Sequence, residues 1–213
     1  MIKCDSLIFD MDGTLWDAVD SYVTIWNETT RQCGVTMPDV TREQLLSLMG
    51  HQLEDIMAAI NPNLIGNDRY LELLDRNERL MMPALGGRLY AGVAATMAAL
   101  SRSIPLYMVS NCGSEGLDNF LTFTALRPYV SDTLSHGMNR LSKSENIKLI
   151  VRRHNLKHPV YVGDTQSDVN SAHDAGIPCV LADYGFGIDV KDADAHINAF
   201  GCLPQVIDIR TNN

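Results

Sequence analysis

From Gly86 to Ala182 the chain alternates short apolar, β-prone runs with helical patterns, and this alternation constrains the fold more than any other feature. Residues 93–101, 117–126, 143–154 and 166–175 read as helices. Residues 104–110, 129–134, 160–162 and 178–182 read as strands. The strand runs are nearly continuous in apolar residues, as parallel strands buried on both faces are. Strand–helix–strand units close as right-handed crossovers, so the alternation predicts a parallel sheet with helices on both faces. A short strand at His196-Ile197 and a helix from Leu203 are expected to complete it.

One further strand opens the chain, with Ile2 and Leu7-Ile8-Phe9, and a different pattern follows it. Val19, Tyr22, Val23, Trp26 and Cys33 recur near helical spacing, with Gly34 as a stop. Thr41 and Gln44 fit a capping box before Leu45 and Leu48. Gly50 interrupts that helix. Leu53, Ile56, Met57 and Ile60 form a third stripe, ended by Pro62. Asn67 caps a fourth helix, expected to stop at Pro83. No strand is expected between Trp16 and Leu85. The fold class is therefore α/β, a doubly wound parallel sheet with a small all-helical insertion directly after the first strand. Residues 1–15 and 86–213 form the sheet domain and residues 16–85 the insertion. Pro83, Gly86 and Gly87 suit a hinge on its return.

Bulk properties narrow the partners. The 213 residues carry a formal charge of −9, which argues against nucleic-acid binding and against docking on an anionic membrane. No stretch is apolar for the ~18 residues a membrane span needs. The first residues lack the basic-then-apolar pattern of a secretory signal. Cys4, Cys33, Cys112, Cys179 and Cys202 are odd in number and share no CxxC spacing, so free thiols in a reducing cytoplasm are expected.

The chemistry concentrates where the first strand ends. Asp10 and Asp12 flank Met11 and precede Gly13-Thr14. In open α/β sheets ligands bind beyond the carboxyl ends of the strands, which places both acids at the mouth of the sheet. Two later segments also sit at strand ends, Ser110-Asn111-Cys112-Gly113 and Gly163-Asp164-Thr165-Gln166-Ser167-Asp168, and a third, Ser142-Lys143-Ser144, lies between a strand and the helix it opens. Asp164 and Asp168 are four residues apart, on one face of the helix that follows. Each segment has a structural reading, as helix cap or first-turn acid, that explains it singly but not the set.

Taken in order, these segments resemble the four motifs of the haloacid dehalogenase-like superfamily. The runs Ala175-Gly176-Ile177-Pro178 and Tyr184-Gly185-Phe186-Gly187 look like its phosphoglycolate phosphatase-like branch. The resemblance implies a Rossmann-like core interrupted by a helical cap. It implies Asp10 as a nucleophile that forms an aspartyl-phosphate, and Asp12 as the general acid/base. Ser110, Asn111 and Lys143 would bind phosphate. Asp10, Asp12 (through its carbonyl), Asp164 and Asp168 would serve Mg²⁺, a hard cation suited to oxygen ligands. An acid at Asp12 favours phosphoryl transfer over carbon–halogen cleavage. Trp16, His51 and Gln52 are candidates for substrate selection. The expected activity is hydrolysis of a small phosphorylated metabolite.

Residues weigh against several alternatives. Residues 16–84 contain no lysine for a Schiff base, and Asp118 stands where a Cys112-based phosphatase loop requires Arg. A phosphomutase of the same superfamily is the enzymatic alternative, which Thr14 disfavours. A non-catalytic phosphometabolite-binding module is the other; a decayed site would have lost one of Asp10, Asp12, Lys143 or Asp164. The acids of the insertion, including Asp39, Glu43, Glu54, Asp55, Glu72, Asp75 and Glu78, read as a solvated face that does not encourage a polyanionic leaving group. The sequence assigns no oligomeric state.

Overall fold

A computed structural model describes residues 1–210. In chain order the elements are β1 (Ile2–Cys4), β2 (Ser6–Phe9), β3 (Trp16–Asp17), α1 (Val19–Cys33), α2 (Arg42–Leu46), α3 (Leu53–Ile60), α4 (Asp68–Leu85), β4 (Arg88–Leu89) and α5 (Val93–Leu100). Next come β5 (Leu106–Ser110), α6 (Gly116–Thr124), β6 (Asp132–Ser135), α7 (His136–Asn139), α8 (Lys143–Arg153), β7 (Pro159–Gly163), α9 (Gln166–Asp174) and β8 (Cys179–Ala182). The described chain closes with β9 (Ala195–Ile197), α10 (Leu203–Val206) and β10 (Ile207–Ile209).

Six strands form one parallel sheet in the order β6-β5-β2-β7-β8-β9. The chain runs outward from β2 in both directions, so β2 lies where the winding reverses. Alternation along the strands feeds two cores. Leu7, Phe9, Met108 and Val162 face one side, with Phe200 and Leu203. Ile8, Tyr107, Val109 and Tyr161 face the other, with Ile147, Ile150 and Val169 of α8 and α9. Burial on both faces is why the strand runs carry no polar alternation.

The insertion packs α1 against α4. Trp26 meets Tyr70 edge-on with ring centroids 6.0 Å apart. The buried Asn77 donates to Thr29 Oγ1 at 2.9 Å. Asn27 ties down the following loop through two bonds with Val40, at 2.9 and 2.7 Å. The predicted capping box at Thr41 and Gln44 is present.

Three sequence expectations are corrected. Residues 16–85 do contain a strand: Trp16-Asp17 pairs antiparallel with Leu89-Arg88, tying both ends of the insertion together. Two residues are too few for a periodicity signal. The helix α4 does not stop at Pro83 but runs through it to Leu85, ending at Gly86, whose φ is +59°. Pro83 forgoes only its own bond to the Arg79 carbonyl, and the Gly86 N–H to Met82 carbonyl bond at 2.8 Å continues the helical pattern past it. The terminal helix α10 has only four residues, and the next segment becomes β10, parallel to β1.

Candidate active site

Four loops at the carboxyl ends of β2, β5 and β7 and at the start of α8 converge on one site. The buried Lys143 ammonium lies 3.2 Å from Asp10 Oδ1 and 2.6 Å from Asp168 Oδ1. Asp168 Oδ2 accepts from the Asp164 N–H (3.1 Å), the Thr165 N–H (2.9 Å) and Thr165 Oγ1 (2.7 Å). Asp168 is thus occupied on both oxygens, anchoring Lys143 and the loop that carries Asp164. Burial pushes its carboxyl up, yet Lys143 and the Thr165 donors outweigh that and hold it below the usual range.

Asp164 is differently placed. Its Oδ1 accepts from Thr14 Oγ1 at 2.9 Å and its Oδ2 from the Phe186 N–H at 2.8 Å. Burial and the neighbouring Asp168 and Asp10 push its carboxyl well above the usual range. Glycines pack tightly round it. A Cβ on Gly185 would fall 2.2 Å from Asp164 Cβ, and one on Gly13, whose φ is +82°, 2.1 Å from Asp164 Oδ2. Gly13→Ala combines left-handed strain with that clash. It should cost at least ~1–2 kcal/mol in urea denaturation and displace the Asp164 carboxylate.

The donor set fits a hard divalent cation. Carboxylate oxygens of Asp10, Asp164 and Asp168 lie within 4.8 Å of one another, all buried. Lys143, which touches Asp10 and Asp168, brings one positive charge to three carboxylates. Asp10 Oδ1, despite its distance to Lys143, receives no well-formed hydrogen bond. Burial raises the Asp10 carboxyl to about 6, with Lys143 opposing. A cluster of buried oxygens with uncompensated negative charge is what Mg²⁺ would satisfy.

Asp12 accepts from the Trp16 indole N–H at 2.9 Å and from the Tyr22 hydroxyl at 3.3 Å. Burial first, then the Asp10 charge, raise its carboxyl to about 8, and these two donors pull back against that rise. Trp16 is therefore corrected as a substrate contact. It is fully buried, stacks edge-on against Phe120 at 4.9 Å, and orients Asp12 from behind.

A cavity opens above this floor, lined by Asp10, Asp12, Ser110, Asn111 and Lys143 below and by the helical insertion above. His51 lines it and Gln52 does not. The Asn111 amide donates to the Gly50 carbonyl at 2.8 Å, joining floor to roof. Ser110 is buried at the strand end, its Oγ accepting weakly from the Cys112 N–H at 3.4 Å. Sequence reasoning missed Tyr22 and the Phe186 N–H. Their signals were Tyr22 on the inner stripe of α1 and the Gly185-Phe186-Gly187 run. It also left Glu78 among solvated acids, whereas Glu78 is half-buried on the cavity wall; Asp75 lines the cavity too but stays exposed, as expected.

A model of the haloacid dehalogenase-like hydrolases matches residues 7–182. The chain belongs to that family. Phosphoglycolate phosphatase of Synechococcus elongatus is 30% identical over 184 residues, covering 85% of this chain and 84% of its own. Phosphoglycolate phosphatase of Rhodobacter capsulatus is 24% identical, covering 95% and 96%. These relatives place this haloacid dehalogenase-like hydrolase in the phosphoglycolate phosphatase-like branch. The fold is shared with a putative haloacid dehalogenase-like hydrolase from Bacteroides fragilis (TM-score 0.81, 18% identity, covering 94% of this chain and 100% of that one). It is also shared with a predicted phosphoglycolate phosphatase from Haemophilus somnus (TM-score 0.80, 20% identity, 97% and 99%). No helix among the described residues is long and apolar enough to cross a membrane.

Proposed function

We propose that this hydrolase cleaves small phosphomonoesters through an aspartyl-phosphate on Asp10, with Mg²⁺ as cofactor and residues 16–85 as a cap over the leaving group. The observation that carries this reading is the pairing of a buried carboxylate at the strand end, Asp10, with a buried ammonium, Lys143, beside two further acids. An Asp10 oxygen attacks phosphorus and the ester P–O bond breaks. Asp12 gives its proton to the departing oxygen. In the second step Asp12 takes a proton from water as that water's oxygen bonds to phosphorus. The Asp10–phosphorus bond then breaks, releasing inorganic phosphate and restoring both acids. Two displacements replace one difficult step.

Asp10, Asp164 and the Asp12 carbonyl would hold the cation, which when bound supplies charge neutralisation between two anions. Lys143 and Ser110 would bind the phosphoryl oxygens, Lys143 as a pre-positioned charge. Asp168 would orient Lys143 and the Asp164 loop rather than ligate the cation directly.

The test is phosphate release from a panel of small phosphomonoesters, including a chromogenic one, with Mg²⁺ and with EDTA. Release that EDTA does not diminish sinks the metal assignment. No release from any ester sinks the reaction class.

The acid role of Asp12 sets a pH dependence. A raised carboxyl stays protonated near neutrality, which the first step needs. The rate kcat/KM should fall as pH rises through about 8. Trp16→Phe removes a donor to the charged form, so this falling limb should move to higher pH. A limb that stays put would show that Trp16 does not tune Asp12.

A further inference from the structure

The roof of the cavity differs from its floor in a way that bears on the leaving group. Leu45, Met49, Leu53, Ile56, Leu71 and Leu74 make the insertion's side of it apolar. Asp75 and Glu78 interrupt that surface, and no arginine among the described residues lines the cavity. Lys143 is held at the floor by Asp10 and Asp168. His51 lines the cavity from an exposed position. Asp75 has modest partners, Arg79 at 3.9 Å and Ser114 at 3.5 Å. Glu78 makes no hydrogen bond or ion pair with any described residue. Its Oε2 would lie 3.3 Å from a Cβ on Gly113, so it hangs beside the turn after Ser110, on the leaving-group side. Asn111 Oδ1, also on the cavity wall, is buried and accepts nothing.

We propose that Glu78 is a specificity residue, and that the substrate is a phosphomonoester whose leaving group carries an amine cation on a short apolar spacer. This rests on the phosphomonoesterase reading above and names its substrate class. An unpaired carboxylate in an apolar wall is costly until a cation or donor meets it. An ammonium on a spacer can reach Glu78 while its methylenes lie on the leucine and methionine surface. Tyr22 and Trp26 also line the cavity, and their ring faces attract cations. A leaving group with its own carboxylate would meet Asp75 and Glu78, with no Lys or Arg of the insertion among the described lining residues and only Arg79, 3.9 Å behind Asp75, to offset them. Phosphoglycolate has such a leaving group, so it should be a poor substrate here despite the relatives' activity.

The experiment compares three near-isosteric esters with the Mg²⁺-loaded enzyme: 3-aminopropyl phosphate, n-butyl phosphate and the phosphate ester of 3-hydroxypropanoate. Phosphoglycolate and a chromogenic ester run alongside. The amine should exceed the alkyl ester in kcat/KM, and the alkyl ester the carboxylate, each by about tenfold or more. Glu78→Gln should bring the amine-to-alkyl ratio close to one, and Glu78→Lys should favour the carboxylate. Asp75→Asn gives a second variant, and the wild-type ranking decides alone if a variant does not fold. Phosphoglycolate or the 3-hydroxypropanoate ester ranking first in the wild type overturns the proposal while leaving the phosphatase reading intact. An amine-to-alkyl ratio that folded Glu78→Gln does not move also overturns it. Silence from every ester, the chromogenic one included, removes the parent reading and this one with it.

Discussion

Asp10→Asn should lower phosphate release by about 10⁴-fold or more while leaving the protein at least as stable as the wild type. The rate loss follows from the proposed chemistry. An amide is a poor nucleophile toward phosphorus, and no other described side chain stands in the same relation to Lys143 and Asp164. The stability result follows from electrostatics. In the folded, metal-free protein the Asp10 carboxyl is raised to about 6, by burial above all, with Asp168 adding to it. A raised carboxyl means that folding favours the protonated form, so stability declines as pH climbs from the ordinary carboxylate range through that value. At pH 7 in EDTA the ionised Asp10 is therefore a net burden, and an uncharged amide of the same shape removes it. Urea midpoints measured with EDTA, beside turnover measured with Mg²⁺, separate the two effects. A variant that keeps more than a few per cent of wild-type turnover, with contaminating phosphatase excluded, would refute the nucleophile assignment. One that unfolds early would show that the charge was structural.

How much of this could be read in advance depends on the range over which each signal acts. The sheet was legible because strands β2, β5, β7 and β8 are buried on both faces and announce themselves as apolar runs. Asp10, Asp12 and Asp164 could be placed at the mouth of the sheet because each ends or follows such a run, and Lys143 because it opens a capped helix, α8, on the way back from it. The ribbon between Trp16-Asp17 and Arg88-Leu89 was not legible, since its partners are far apart in sequence and each supplies two residues. Trp16 was misread for a related reason. Its position beside the motif suggested ligand contact, but whether an indole faces a cavity or the core depends on Phe120, a residue of another helix. Glu78 is the opposite case. Along α4 it is one charge among several, and only the packing of α4 over the turn after Ser110 turns it inward. Local composition fixes which residues can be buried; the assignment of a charged side chain to solvent or to the site is a tertiary event.

Lys143→Met should be the most damaging single substitution for stability, costing about 3–5 kcal/mol at neutral pH in the absence of divalent metal. The lysine is buried with two carboxylates, at 3.2 and 2.6 Å, and removing it strands both. Methionine keeps most of the volume, so the loss is electrostatic rather than a cavity effect. The sign of its pH dependence follows from Asp168. With Lys143 present that carboxyl is held low, so it contributes stability above the ordinary carboxylate range, lost only as pH falls through its depressed value. Without Lys143 the contribution disappears, so the gap between variant and wild type should be wide at pH 7 and close as pH falls below about 4. Adding Asp168→Asn to Lys143→Met removes one of the stranded charges, and the double variant should be more stable than the sum of the single losses indicates. Turnover should fall steeply in every member of this cycle that lacks the lysine, because among the described residues no other Lys or Arg side chain lines the cavity to meet the phosphoryl group beside the metal. Strict additivity, or a Lys143→Met loss under ~1 kcal/mol at pH 7, would mean that the pair behaves like an exposed salt bridge. The buried charge network would then not be what holds the loops at the ends of β2, β7 and the start of α8 together.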